Sequence, residues 1–307
     1  MHHVVRRQLD AGEEAQDRVL EHEHDEAHRD AETAEEDERR LVEEQREHGD
    51  ATQEEDGPLK DLLERPDRYA ASDRMILEDR TEQTGVIAVH GPQSPALVQA
   101  LLGIDVSGLE EYYSVCHEVE SRSVTCARTG ETGEIGYDLY VAAESMEWLW
   151  DVLLTEGRDF HATSIGLIAL NSLRIEAGIP RYGAELDDSI IPLEAELEHA
   201  IDFEKGCYIG QEIVARMKYR GHPNRLLRGL EIECNTPPAP NDLIFGGEKE
   251  IGWITSAVNS PTLGKTIALG YIRMAFTDTG SKVEIETANG RVNGTVVSLP
   301  FYSSKSQ

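Results

Sequence analysis

Cysteine is scarce in this chain, and the four present (Cys116, Cys126, Cys207 and Cys234) form neither a CxxC pair nor a ladder with histidine. That spacing argues against a zinc site and a disulfide scaffold, and it suits a reducing compartment. Long apolar runs are missing as well. No window nears the roughly 18 apolar residues of a membrane-crossing helix, and the N-terminus has no apolar signal core, so the expectation is a cytoplasmic protein with no membrane partner. Positive charge is in short supply: a formal net charge of -30 over 307 residues repels phosphate and argues against direct nucleic-acid binding. Lysine is rare even among the cations, seven against 22 arginines. The glycine spacings of a dinucleotide-binding fold and of a P-loop are absent, as is any Ser/His/Asp order or metal-ligand cluster.

What is present divides the chain into three textures. Residues 1–57 hold 21 acids, seven arginines and six histidines, with no lysine. Apolar residues such as Val19, Leu20, Leu41 and Val42 are too few for a core or a heptad seam. Pairs such as Glu35–Arg39 and Glu36–Arg40 would support a lone charged helix. This stretch reads as an acidic low-complexity extension, disordered or a single helix, ending at Gly57-Pro58.

Globular patterning occupies residues 58–221. Gly85 to His90, Val124 to Arg128 and Tyr137 to Val141 read as strands. Ser94 with Pro95 opens a helix closed by Gly103; Glu144 to Glu156 and Thr163 to Ala177 read as further helices. From residue 222 to 307, short β-rich runs (Leu226 to Glu233, Ile251 to Ser256, Ile267 to Arg273, Lys282 to Thr287, Arg291 to Leu299) suggest a small antiparallel barrel, with Trp253 and Tyr271 in its core. The fold class that follows is α+β, with a β-barrel appended.

One run concentrates chemistry: Lys205-Gly206-Cys207-Tyr208-Ile209-Gly210-Gln211-Glu212. Ile209, Ile213, Val214 and Met217 share a helical face, which places Cys207 at or just before a helix N-terminus. There the dipole and Lys205 would favour a thiolate. An inert buried cysteine is the other reading. A lone cysteine holds no iron–sulfur cluster by itself, since clusters take four ligands. Glu212 complements the dipole, and Arg216, Lys218 and Arg220 form a local basic patch, either an anion site or a set of salt bridges.

These motifs resemble a known family. Arg128-Thr129-Gly130-Glu131-Thr132-Gly133-Glu134-Ile135-Gly136-Tyr137-Asp138 is similar to the RTGYTGEDGFE segment of glycine-cleavage T-proteins. Leu173-Arg174-Ile175-Glu176-Ala177-Gly178, Tyr182-Gly183 and Ile191-Pro192-Leu193-Glu194-Ala195 follow in the family's order. Gly252-Trp253-Ile254-Thr255-Ser256 and Ile267-Ala268-Leu269-Gly270-Tyr271 resemble its C-terminal barrel. The KGCYIGQE run, continued by Arg216-Met217-Lys218-Tyr219-Arg220-Gly221, resembles the folate-binding YgfZ branch of that superfamily.

The resemblance implies a T-protein-like fold and tetrahydrofolate as cofactor, with Asp138 as pterin ligand. Glu131 stands where the family has a tyrosine, and Leu170 where it has an arginine. Arg174, Arg216 and Arg220 are further candidates for folate contact. It implies, as first choice, an accessory protein for iron–sulfur cluster assembly or repair and tRNA modification. Cys207 would then be the working residue, and iron–sulfur proteins or cluster-assembly factors the partners. The alternative is a folate-dependent aminomethyltransferase of the glycine cleavage type. T-proteins carry an N-terminal subdomain that completes the folate pocket and supplies the catalytic aspartate. Nothing in residues 1–57 resembles it, which leaves two readings open: loss of that subdomain, or a frame change upstream.

Overall fold

The computed structural model describes residues 6–7, 75–76 and 78–302. The chain divides into two compact units, residues 1–79 and 80–307. Within the first, strand β1 (Arg6–Arg7) pairs antiparallel with β2 (Met75–Ile76). The rest of the reading for residues 1–57 lies outside the described residues.

In the second unit, strands β3 (Thr84–His90), β4 (Ser114–Val119), β5 (Arg122–Arg128) and β6 (Gly136–Ala142) form an antiparallel sheet in the order β3-β6-β5-β4. Side chains alternate across a strand, so Ile87, Val124, Cys126, Tyr137, Leu139 and Val141 share one face. That face is buried beneath helices α1 (Ser94–Leu102) and α2 (Met146–Glu156), which contribute Leu97, Val98, Leu101, Leu149 and Leu153. Each such side chain contributes about 1.5–3 kcal/mol on burial. Helices segregated to one face of an antiparallel sheet make this an α+β layer, as expected.

Ser94 departs from its expected role as a cap. Gln93 occupies the N-cap, and the Ser94 hydroxyl donates to the Ile135 carbonyl at 2.9 Å, tying α1 to the β5–β6 loop. Gly103 closes α1 in the left-handed conformation, as its position implied.

Helix α3 (Leu167–Glu176) begins four residues later than the pattern predicts, behind Gly166 as N-cap. Its last turn (Arg174, Ile175, Glu176) is buried, while Leu167 and Ile168 stand 83% and 86% exposed. The helix contacts the barrel through its C-terminal end, so the apolar residues of its first turn find no packing surface among the described residues.

The C-terminal part is a closed six-stranded antiparallel barrel. Its strands are β7 (Arg225–Ile232), β8 (Leu243–Gly246), β9 (Lys249–Ser260), β10 (Lys265–Arg273), β11 (Lys282–Thr287) and β12 (Gly290–Val297), closing in the order β10-β7-β12-β11-β8-β9. Leu230, Ile244, Ile254, Ala268, Ile272, Ile285 and Val296 fill the interior. Along β10, Ile267, Leu269 and Tyr271 point outward instead, and with Trp253 they pack on Ile175 of α3. Trp253 and Tyr271 therefore sit outside the barrel interior, because alternation sends them to the face that α3 covers. At Gly252 the β10 backbone leaves no room for a side chain: a Cβ there would meet the Tyr271 carbonyl oxygen, so no other residue fits without moving backbone.

A bulge in β9 fastens the two layers of this outer core. Leu269 faces Ser256 but Gly270 faces Ile254, leaving Thr255 as the extra residue. In a regular pleat Thr255 and Ser256 would point to opposite faces. The bulge turns both hydroxyls to the same Glu185 oxygen, at 2.9 and 2.6 Å.

Candidate functional site

The β5–β6 loop, residues 129–135, is held at both ends. Arg128 Nη1 donates to the Leu109 carbonyl at 2.7 Å, and the Gly91 amide and Ser94 hydroxyl both donate to the Ile135 carbonyl. Thr129 N donates to the Gly136 carbonyl at 3.2 Å, closing the hairpin. Thus pinned, the loop presents Glu131 to solvent and turns Thr132 inward, 8% exposed.

Beyond the loop, β6 is buried on both sides. Tyr137, Leu139 and Val141 enter the helical core, so Asp138, also 8% exposed, lies on the opposite face of the sheet. A nearly buried carboxylate on a sheet face away from the helices is an unusual placement, since burying a charge is costly. The same face holds Ala88, paired with Asp138, and His90, paired with Gly136.

His90 is the residue that sequence reasoning passed over. It closed a strand in the alternation pattern and carried no motif. Its proximity to Asp138 follows from register alone, which no local signal encodes. Burial lowers the imidazole's pKa from the ordinary value, while the Asp138 and Glu131 carboxylates push it back up. The His90 Nδ1 and the hydroxyls of Thr129 and Thr132 are buried without a protein partner. Buried polar atoms left without a protein partner are groups that a polar ligand or ordered water would satisfy.

Arg174 is placed elsewhere. It is 5% exposed, and its guanidinium is spent on Glu185 (2.5 Å), Ser256 Oγ (2.6 Å) and Asn171 Oδ1 (2.9 Å). Glu185 in turn accepts from the Arg181 amide, Thr255 and Ser256. Glu176 accepts from Ser260 and Thr262 of the β9–β10 turn, and its carbonyl takes the Phe301 and Tyr302 amides. Arg174 and Glu176 are thus two separate clamps from α3 to the barrel.

The Lys205–Glu212 run is an exposed loop leading into helix α4 (Gln211–Arg220). Gly210, at φ 85°, is the N-cap. Cys207 lies three residues ahead of that cap, exposed, so the helix start expected at its side falls further along the chain. The Lys205 ammonium stands over the Tyr208 ring at 4.9 Å. The expected apolar face is divided: Val214 is buried, while Ile209 and Ile213 are exposed. Among the basic residues, Arg216 pairs with Glu212 at 3.3 Å, Lys218 pairs with Glu198, and Arg220 is exposed. Salt bridging thus accounts for part of this patch. Gly206, Cys207 and Gln211 are not brought to Asp138 by any contact seen here.

Comparison with known proteins gives this geometry its context. Residues 57–205 match the GCVT N-terminal domain, and residues 225–303 match the glycine cleavage T-protein C-terminal barrel domain. A protein of Desulforamulus reducens named aminomethyltransferase is 35% identical over 226 residues, covering 74% of this chain and 62% of the relative. One of Symbiobacterium thermophilum with the same name is 38% identical over 234 residues, with the same coverages. The crystal structure of glycine cleavage system aminomethyltransferase T from Bartonella henselae superimposes with a TM-score of 0.68 at 26% identity, covering 80% of this chain and 66% of that one. The chain spans 62% of the length of the first curated relatives it matches.

These relatives overturn the first functional choice made from the Lys205–Glu212 run. They are named aminomethyltransferase, and nothing found supports a role in iron–sulfur cluster maintenance or tRNA modification, or iron–sulfur proteins as partners. No helix among the described residues is long and apolar enough to cross a membrane.

Proposed function

Because the chain carries the GCVT N-terminal domain and the T-protein C-terminal barrel domain, and so belongs to the GcvT-like superfamily, we propose that it acts in folate-dependent aminomethyl transfer. Asp138 holds the pterin in this reading. The observation that carries it is the nearly buried Asp138 carboxylate on the sheet face away from the helices, at the position that the family resemblance marks.

The residues present fit the group. A pterin has an amidine-like N–H edge, which a carboxylate meets with two parallel hydrogen bonds, and a carbonyl beside it. Asp138 offers the carboxylate, and the β5–β6 loop that precedes it carries the unpartnered hydroxyls of Thr129 and Thr132. When bound, tetrahydrofolate supplies the nitrogen that accepts the one-carbon unit. This chain's part is to fix the ring: Asp138 orients it, the pinned 129–135 loop walls it, and Glu131 borders the opening. Arg220 and Arg216 on exposed α4 are candidates for the anionic glutamate tail, while Arg174 is withdrawn from ligand contact by its buried bonds. Orientation of this kind is what positional catalysis needs from a binding domain.

Titration calorimetry with tetrahydrofolate tests the reading. Losing a charge-assisted pair costs about 1.5–3 kcal/mol, so Asp138→Asn should weaken binding by roughly 10- to 100-fold. Equal affinity of the wild type and Asp138→Asn would remove Asp138 from the site. No binding at about millimolar ligand would end the folate reading.

A further inference from the structure

His90 has a place in the same site that the folate reading does not assign. The last residue of β3 faces Gly136 across the ladder, and Ala88 faces Asp138. Residues two apart on a strand share a face, so the His90 and Asp138 side chains are diagonal neighbours. The geometry there is tight. A Cβ on Gly136 would come within 2.4 Å of His90 Nδ1 and 2.6 Å of the Thr129 carbonyl, so the imidazole occupies the space that the glycine leaves open. The ring is mostly withdrawn from water, and its Nδ1 has no protein partner.

The charged groups acting on it are Asp138 on β6 and Glu131 in the β5–β6 loop. The start of α1, which also packs against this loop, brings only the neutral Ser94, whose hydroxyl is spent on Ile135. His90 therefore answers to two carboxylates that the folate reading places at the ligand.

We infer that His90 is a positioning residue for Asp138, and that its protonation weakens the hold of the site on tetrahydrofolate in mildly acidic solution. The inference rests on the folate reading for its ligand, but the His90–Asp138 coupling stands without it. A neutral imidazole leaves the carboxylate's charge to the ligand's N–H edge. An imidazolium draws that charge to itself, and ligand and proton then compete for the same oxygens. Burial has already moved the imidazole below its ordinary value of 6.5, so the site is in its binding state at neutral pH. Affinity should fall as pH drops through the His90 pKa and stay level above it.

Two measurements test this. Tetrahydrofolate affinity is followed by calorimetry between about pH 5 and 8 for the wild type and His90→Gln, with thermal melts confirming that the variant is folded. The wild type should lose up to about tenfold per pH unit below the His90 pKa, relative to His90→Gln. Protonation of the ligand itself cancels in that comparison. Coincident profiles would overturn the inference. Independently of any ligand, the His90 ring resonance, assigned by its loss in His90→Gln, is titrated by NMR in the wild type and in Asp138→Asn. Removing the carboxylate that supports the charged ring should lower the His90 pKa, and an unchanged value would overturn the coupling. If the wild type binds no tetrahydrofolate, the folate reading fails, and the NMR titration alone decides for or against the His90–Asp138 link.

Discussion

Glu185→Gln is the most informative single perturbation of the frame that carries the site. Glu185 is 1% exposed and accepts from the Arg174 guanidinium, the Arg181 amide, Thr255 and Ser256. A glutamine keeps the volume but removes the charge, and it turns an amide donor toward groups that are themselves donors. Arg174, withdrawn from water and lowered in pKa by burial, would lose the carboxylate that supports its charge. Breaking a buried pair by removing one partner costs about 3–5 kcal/mol. At about 2–4 °C per kcal/mol for a unit of this size, the melting temperature should drop by roughly 6–20 °C. Urea unfolding followed by circular dichroism and by tryptophan fluorescence measures the loss, and Trp253 reports directly on the outer core beside Tyr271. In a double-mutant cycle with Arg174→Met, the second substitution should cost less than the first, with a coupling of about 1–3 kcal/mol. A cost below about 1 kcal/mol for Glu185→Gln, or simple additivity of the two changes, would show that the clamp is dispensable.

Other outcomes follow from burial and crowding. Gly136→Ala should destabilise the protein by about 1–3 kcal/mol in thermal melts and displace the His90 resonances, because the new methyl meets His90 and the Thr129 carbonyl. On α3, Ile175→Ala should cost about 2–5 kcal/mol, whereas Ile168→Ala should stay within about 0.5 kcal/mol, since Ile175 is buried and Ile168 solvated. Urea midpoints compare the two directly. Thiol labelling at about pH 8 should modify Cys207 and Cys116 first and Cys126 only on unfolding. Burial raises the Cys126 thiol to about 11, which leaves on the order of one thiolate in a thousand at that pH. Mass spectrometry of partially labelled protein reads the order.

Much of the fold was legible because local patterns and tertiary demands agree. Short β-rich runs marked β3, β5 and β6, Gly103 marked the end of α1, and evenly spaced β-rich runs marked the barrel. β4 and β8 were missed for opposite reasons. Ser114–Val119 places polar residues on its exposed face, which weakens the apolar signal, and Leu243–Gly246 is too short to show a period. The ends of helices were harder still. Thr163 and Ser164 look like caps, yet α3 starts at Leu167, because its burial is set by contact with the barrel at its far end. The proposed site was legible at Asp138 through family resemblance and illegible at His90, whose place beside Asp138 depends on cross-strand register. The Arg174–Glu185 clamp was hidden because two consecutive hydroxyls converge only where β9 bulges.

The closing of the barrel sets when it can form. β7, its first strand, has both neighbours late in the sequence: Leu230 lies opposite Ala268 on one side and Val296 on the other. A chain emerging from the ribosome therefore holds β7 with neither ladder made until β10 has followed, and with one open edge until β12 arrives. During that interval the outward side chains that later grip α3 have nothing stable to rest on, because Leu227, Leu269 and Tyr271 belong to the same ring of strands as the closure itself. The clamp on α3 is thus a late event in biosynthesis, and a ribosome stalled ahead of β12 would expose a half-built sheet to chaperones.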